Sequence, residues 1–304
     1  MKLTDLKSVS KNIDIDEYIK FRELVKTEMK YPEWLGDFSK EDLLRMLNNN
    51  SIIWIYYLRN EPVCSMMLIP STKQDLDRFE IDLDYKKVVD YGPMFVNPKF
   101  VGNGLQYQML KELKNYCTKL GYKYAIGTIH PDNIYSINNF IKDDFKLFEV
   151  KKFTRGTRNI YLKCIDDDCI QKILSFVVKD NKYLLLKGSD TDPQFHKSFW
   201  YVVTGSVEKE DVSLFQSVKR EISEEIGLKV LNIKRIPIVF KYESLGKKCI
   251  EHLFISEVED ENIILNEEST DYKWCDINEF TNLIHWFYDK EQLKDIIEKY
   301  INTK

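Results

Sequence analysis

Apolar residues recur at helical spacing from Asp16 to Met29, and a shorter helix is expected from Lys40 to Leu47. Two apolar runs, Ile52 to Leu58 and Val63 to Ile69, read as strands joined by Arg59-Asn60-Glu61-Pro62, where Asn and Pro punctuate a turn. Val88 to Val96 reads as a further strand that ends at Asn97-Pro98 and runs into Gly102-Asn103-Gly104. Beyond those glycines Leu105, Met109, Leu113, Cys117 and Leu120 repeat every three or four residues, and Gly121 closes the segment as a helix C-cap. Tyr124 to Ile129 reads as a strand, Ile134 to Lys142 as a helix and Arg158 to Leu162 as a strand.

The polar stretch Cys164-Ile165-Asp166-Asp167-Asp168-Cys169 interrupts two strand-like runs near mid-chain. A chain of 304 residues exceeds the size at which one core usually stops growing. Two domains are therefore expected, 1–165 and 166–304. The second opens with strands at Ile173 to Val178 and Tyr183 to Leu186 around Asp180-Asn181, followed by Trp200 to Val203. A helix comes next, then strands around Ile236 to Phe240 and Cys249 to Ile255. The last helix carries Leu293, Ile296, Ile297, Tyr300 and Ile301 on one face.

Composition narrows the class. With 43% hydrophobic and 31% charged residues the chain has material for packed cores and an ordinary polar surface. A formal net charge of -4, spread along the chain, gives no electrostatic footprint for a nucleic-acid duplex. The six cysteines show no C-x-x-C spacing and read as free thiols of a reducing compartment. Neither the N-terminus nor the longest apolar run, Ile52 to Leu58, suits a signal core or a membrane span, so a cytoplasmic protein is expected. Oligomeric state is not encoded in any feature of the sequence.

The richest chemistry lies between Gly205 and Leu228, GSVEKEDVSLFQSVKREISEEIGL. Leu214, Val218, Ile222 and Ile226 form the buried stripe of a helix that Gly227 terminates. Glu221, Glu224 and Glu225, three and four apart, converge on another side. Like charges so placed repel, and a hard divalent cation with oxygen ligands would offset that. A solvated acidic face is the other reading of the triplet taken alone. The order of residues, G-x5-D-x8-R-E-I-x-E-E-x-G-L, resembles the box of the Nudix hydrolases, G-x5-E-x7-R-E-U-x-E-E-x-G-U with U aliphatic. From Arg220 to Leu228 the match is complete, whereas Asp211 stands for a glutamate and one residue is added before Arg220. The resemblance implies that Glu221, Glu224 and Glu225 bind Mg2+ (or Mn2+) and help activate water, with Arg220 as the structural arginine of the catalytic set.

The run Phe199 to Glu208, FWYVVTGSVE, resembles more narrowly the bacterial dihydroneopterin triphosphate pyrophosphatases, also described as dATP pyrophosphohydrolases. The segment Asn266 to Trp274 is similar too, with a glutamate six residues before the tryptophan, which makes Glu268 a candidate further metal ligand. An exposed loop acid is the alternative for Glu268. Phe199 and Trp200 read as core residues flanking the site, and Lys187, at the end of the Leu184-Leu185-Leu186 run, has two readings, one facing the phosphates and one simply solvated.

In the first half, Val101-Gly102-Asn103-Gly104 lies between a strand and a helix, where exposed backbone N–H groups favour phosphate. A tight turn is the alternative. The order of elements, this loop, and His130-Pro131-Asp132-Asn133 with Phe140 to Phe145 resemble a Gcn5-related N-acetyltransferase (GNAT) domain over roughly residues 1–163. The resemblance implies acetyl-CoA binding by Val101, Gly102, Asn103 and Gly104, with Asn133 matching the asparagine after the next strand. Val101, Gln106, Phe140 and Asp144 depart from the pattern, and Phe140 cannot donate a proton where many members carry tyrosine. Asp90, Tyr91 and His130 are titratable groups nearby to which no catalytic role is assigned.

The fold expected is α/β (α+β): a GNAT-like mixed sheet with flanking helices, then a Nudix α/β/α sandwich. The function expected is Mg2+-dependent hydrolysis of a nucleoside or pterin triphosphate with release of pyrophosphate, fused to an acetyl-CoA-binding domain. The competing reading is an N-acetyltransferase whose Nudix half senses a nucleotide.

Overall fold

The computed structural model describes residues 1–10, 13–188, 198–244, 246–286 and 288–301. The chain divides into two compact units, Met1–Asp167 and Asp168–Lys304. No helix among the described residues is long and apolar enough to cross a membrane.

The first unit runs β1 (Lys7–Val9), α1 (Ile15–Glu28), α2 (Lys40–Asn48), β2 (Ile52–Leu58), β3 (Glu61–Pro70), α3 (Lys73–Phe79), β4 (Val88–Tyr91), β5 (Phe95–Val96), α4 (Leu105–Lys119), β6 (Tyr124–Ile129), α5 (Ile134–Lys142), β7 (Lys146–Phe153) and β8 (Gly156–Cys164). The strands form one sheet in the order β1-β2-β3-β4-β6-β8-β7, with β5 also on β3. Its β4–β6 pair is parallel and the other pairs are antiparallel. Arg59 and Asn60 both take positive φ, the twist a two-residue hairpin needs, so Glu61 already belongs to β3.

Both faces of this sheet are covered. Tyr18, Phe21 and Val25 of α1 and Leu43 of α2 pack on Ile53, Ile55 and Met67, while Leu105, Met109, Leu113 and Cys117 of α4 pack on the opposite face with Trp54, Met66 and Val89. The apolar run Val88 to Val96 is two strands rather than one. Gly92 interrupts it, lying so close to Ile69 that a Cβ there would come within 2.7 Å of that side chain, and Pro93 has no N–H to continue the ladder. Beyond Asp90 and Ile126, β4 and β6 stop pairing although β6 continues to Ile129.

The second unit runs β9 (Cys169–Lys179), β10 (Lys182–Gly188), β11 (Trp200–Tyr201), β12 (Val203–Ser206), α6 (Leu214–Ile226), β13 (Val230–Ser244), β14 (Lys247–Val258), β15 (Ser269–Cys275), α7 (Ile277–Leu283) and α8 (Lys290–Ile301). Its sheet has the order β11-β10-β9-β14-β13, with β12 on β9 and β15 on β10. Strands β9 and β14 are parallel. Alternate residues point to opposite faces. Leu174, Phe176, Leu253 and Ile255 meet Phe280 of α7 and Leu293 and Ile297 of α8, whereas Phe254 faces the other way and meets Phe215 of α6. The result is a helix–sheet–helix sandwich.

Candidate active site

Helix α6 begins where the Ser213 hydroxyl accepts a hydrogen bond from the Gln216 amide (3.0 Å), and it ends at Gly227 with φ 71°. Leu214, Val218, Ile222 and Ile226 are fully buried and fix its rotation. That rotation turns Glu221 and Glu225 toward β12 and leaves Glu224 at the rim, with 57% of its side chain exposed. Gly205 on β12 makes this possible, because a Cβ there would overlap the Glu221 carboxyl group.

Glu225 is buried. One oxygen, Oε1, accepts a hydrogen bond from the Thr204 amide at 3.2 Å, and the other, Oε2, is buried without a partner. Burial drives its carboxyl well above the ordinary value, and the charges of Glu268 and Glu221 add to the push. Glu221 is raised for the same first reason, against the pull of Arg220.

Arg220 ties the site together. Its guanidinium donates to Asp211 Oδ2 (2.9 Å) and, at longer range, Oδ1 (3.4 Å), to the Ser206 carbonyl (2.8 Å), to Glu221 Oε1 (2.7 Å) and to Glu224 Oε2 (3.0 Å). Burial opposes the charge of Asp211, but hydrogen bonds from Arg220, Ser217 and the Glu208 amide outweigh it and hold its carboxyl below the ordinary value. The added residue before Arg220 thus lies between Asp211 and the arginine without separating them, since Asp211 still reaches the guanidinium.

Glu268 is brought in by its backbone. The Ile264 and Asn266 amides donate to the Ile226 and Glu225 carbonyls at the end of α6 (3.1 and 3.2 Å), and the Glu268 amide donates to the Asn266 side chain (3.1 Å). The exposed Glu268 thereby enters the electrostatic field of Glu221 and Glu225. Among the described residues no three acidic, histidine or cysteine side chains stand in ligating geometry, since Arg220 draws Glu221 and Glu224 to itself. The donor set nevertheless fits a hard cation: all its ligands are carboxylate oxygens, and one of them is buried with no partner of its own.

Sequence reasoning does not single out Thr204, whose amide anchors Glu225, or Ser206, whose carbonyl anchors Arg220. Trp200 packs against the core as expected. Lys187 is half-buried with its ammonium 5.8 Å from the Trp200 ring centre, so it is not simply solvated.

In the first unit Val101, Gly102, Asn103 and Gly104 are all exposed at the start of α4, and both glycines take positive φ. Gly104 caps α4 without a side-chain bond, so no capping side chain takes up its first-turn amides. Asn133 caps α5 through the Ser136 amide (3.2 Å). Gln106 donates to the Ser136 hydroxyl (2.9 Å) and accepts from Asn139 (2.8 Å), joining α4 to α5. Phe140 is buried against Phe145 and Tyr161, and Asp144 takes φ 66°, the conformation for which glycine is usual. Asp90 is raised to about 7, first by burial and then by the charge of Asp75.

Residues 172–296 match the family model of the NUDIX domain. Among solved structures, the second half is similar to a MutT protein from Methanosarcina mazei Go1, at 22% identity over 45% of this chain and 96% of that one, with a TM-score of 0.36. The dihydroneopterin triphosphate pyrophosphohydrolase of E. coli matches at 23% identity over 44% of this chain and 96% of that one, with a TM-score of 0.34. An N-acetyltransferase from Staphylococcus aureus Mu50 matches at 11% identity over 53% of this chain and 99% of that one, with a TM-score of 0.42. No curated protein matches the chain.

Proposed function

We propose that the NUDIX domain of the second unit hydrolyses a nucleoside or pterin triphosphate between its α and β phosphates and releases pyrophosphate, with Mg2+ or Mn2+ held by Glu221, Glu224, Glu225 and Glu268. The observation that carries this reading is the buried, unpartnered Oε2 of Glu225 beside three further carboxylates. A metal bound there supplies the charge that neutralises phosphate oxygens and makes water acidic enough to attack at neutral pH. The chain's own residues do the rest. Thr204 and the α6 stripe fix Glu225, Asp211 and the Ser206 carbonyl fix Arg220, and Gly205 leaves the space that Glu221 fills. Glu225 is the most deeply buried of the four proposed ligands, so a cation that it held would act where water screens least.

A panel of nucleoside and pterin triphosphates with Mg2+, followed for pyrophosphate and orthophosphate together, tests substrate and bond at once. Pyrophosphate release from at least one member is expected. Orthophosphate alone, or no product, removes the reading.

The exposed loop before α4, whose helix start has no side-chain cap, favours a second reading for the first unit, binding of acetyl-CoA through Val101, Gly102, Asn103 and Gly104, with Asn133 at the start of the neighbouring helix. Calorimetric titration with acetyl-CoA decides it. Heat with saturable binding supports the site, and its absence removes both the cofactor and the acyltransferase.

A further inference from the structure

Strand β15 carries an irregularity just after Glu268. Lys187 of β10 pairs with Asp271 and Gly188 with Ser269, so Thr270 is an extra residue in the ladder. Its hydroxyl donates to the Lys187 carbonyl (3.3 Å). A bulge of this kind re-aims the side chains beside it. Ser269 is turned inward and is 6% exposed, while Glu268 before it is exposed.

The side chain that meets Ser269 comes from β11. Tyr201 Oη and Ser269 Oγ lie 2.8 Å apart, with either hydroxyl able to donate. In register Tyr201 stands opposite Leu186 of β10, and Ser269 belongs to the strand on the far side of β10, so the tyrosine reaches across that strand. Gly188 keeps the crossing open. A Cβ there would already lie 3.4 Å from Cε1 of the Tyr201 ring, and a longer side chain would stand in the ring's path.

This bond lies on the same face of the sheet as the acids of α6. Trp200 and Val202 pack in the core against α7 and α8, so Tyr201 and Val203 point the other way. Gly205, two residues beyond Val203, meets the Glu221 carboxyl of α6. Along β10, Tyr183 and Leu185 belong to the α7 and α8 core, which leaves Leu186 and Gly188 on the α6 side. About 13 Å of extended chain separates Tyr201 from Gly205. The segment carrying Glu268 spans that interval: the Glu268 charge acts on Glu221 and Glu225, and its neighbour in the chain touches Tyr201.

The segment is held from two sides. On one side the Ile264 and Asn266 amides donate to carbonyls at the end of α6, and on the other Tyr201 takes Ser269. We propose that Tyr201 is a positioning residue of the metal site, which through Ser269 keeps the Glu268 carboxylate where a cation bound by Glu221 and Glu225 can share it. The assignment deepens the hydrolase reading and rests on it for Glu268 as a ligand. An exposed carboxylate on a segment released at one side samples many positions, most of them away from the cation. A segment fixed beforehand has lost that freedom before the metal arrives, which favours binding. Groups that hold a ligand in place set metal affinity without touching the metal.

The test is titration of Mn2+ alone into the full chain, with free Mn2+ followed by its electron paramagnetic resonance signal. The chains compared are the parent, Tyr201→Phe, Ser269→Ala, Glu268→Gln, and Tyr201→Phe combined with Glu268→Gln. Glu268→Gln should weaken Mn2+ binding roughly 10-fold, and Tyr201→Phe and Ser269→Ala roughly 3- to 10-fold each. Tyr201→Phe should add nothing to Glu268→Gln, because it acts through that carboxylate, whereas a merely structural tyrosine would weaken both backgrounds alike. Tyr201→Phe keeps the ring and Ser269→Ala breaks the same bond from its other end, so whichever variant folds decides. Unchanged Mn2+ affinity in the folded variant, or an equal loss with and without the Glu268 carboxylate, overturns the assignment. A Glu268→Gln chain that binds Mn2+ like the parent overturns it as well. Mn2+ affinities that respond as expected in a chain that hydrolyses no triphosphate would remove the hydrolase reading alone. Hydrolysis with Mn2+ affinity unmoved by Tyr201→Phe would remove this assignment alone.

Discussion

The carboxyl group of Glu221 occupies the space that a side chain on Gly205 would need. Strand β12 and helix α6 are thus in contact through an acid and an absent methyl group, and the placement of the acid depends on that absence. Gly205→Ala should displace Glu221 and lower kcat by roughly 100-fold, a loss comparable to removing one preorganised polar group from an active site. The fold should survive, since the clash falls on the flexible end of the Glu221 side chain, which can rotate, and not on backbone. Steady-state kinetics beside a thermal melt checks both halves of the expectation.

Glu224→Gln combined with Glu225→Gln should abolish Mg2+-dependent pyrophosphate release, by at least about 100-fold, while acetyl-CoA binding to the first unit stays unchanged. Normal pyrophosphate release by the double variant would show that the acids of α6 do not hold the catalytic cation.

The pH dependence of stability is set in part by Glu225. Its carboxyl is raised in the folded protein, so between the ordinary glutamate value and the raised one the folded state holds a proton that the unfolded chain has lost. Stability contributed by the neutral acid is therefore full at low pH and lost as pH rises. Without divalent cation, Glu225→Gln should become more stable relative to the parent as pH goes from about 5 to about 8, the range above the ordinary carboxyl value near 4.3. Added Mg2+ should reverse the order at the upper end. Denaturant melts of both proteins at several pH values measure it, and a constant difference across the range would contradict the assignment.

Asp211→Ala removes the buried partner of Arg220. Breaking a fully buried pair costs about 3–5 kcal/mol, and water reaching the arginine lowers that. With 24% of the Arg220 side chain exposed, a loss of about 2 kcal/mol is expected. Activity should fall without being abolished, because Glu221 and Glu224 keep hold of the arginine while its angle is freed. Chemical denaturation gives the first quantity and kcat/KM the second.

In the first unit, Gly127→Ala would bring a Cβ to 2.5 Å from the Phe140 ring. Phe140 is buried against two other rings and cannot swing aside. A loss of about 1–3 kcal/mol is expected, partly restored by Phe140→Leu in the same chain. Thermal melts of the two variants test the contact.

The sequence discloses some elements and withholds others for physical reasons. The stripe Leu214, Val218, Ile222 and Ile226 identifies α6 because helical burial is a local pattern, and the acids on its flank come with it. The interruption at Gly92 is not legible because the apolar run continues across it, and only the approach of Ile69, a residue distant in sequence, makes glycine necessary there. Helix α3 goes unread although it carries a signal: Thr72 and Asp75 cap its start reciprocally. Strand β7, with Lys146 and Phe148 buried on one face, is concealed by its charged residues. Thr204 and Ser206 are unreadable as site residues because they act through backbone atoms, which every residue possesses. Glu268 can be named only by resemblance, since its approach depends on two backbone bonds to the far end of α6.

The parallel pairing of β9 with β14 also governs the order in which the molecule can be made. Cys169 meets Lys248 and Val178 meets Glu257, partners about eighty positions apart along the chain. During synthesis β9 emerges early and must wait, one long side of its backbone unsatisfied, until the ribosome has released β14. Contacts so remote in sequence form slowly and leave strand edges open to other chains in the interval. The first unit, complete by Asp167, can close its sheet without any strand of the second. Helix α6 is released well before the sheet it rests on can close, so a nascent chain stalled before Lys247 would hold the acids of α6 beside β12 but without Phe254 of β14, against which Phe215 packs.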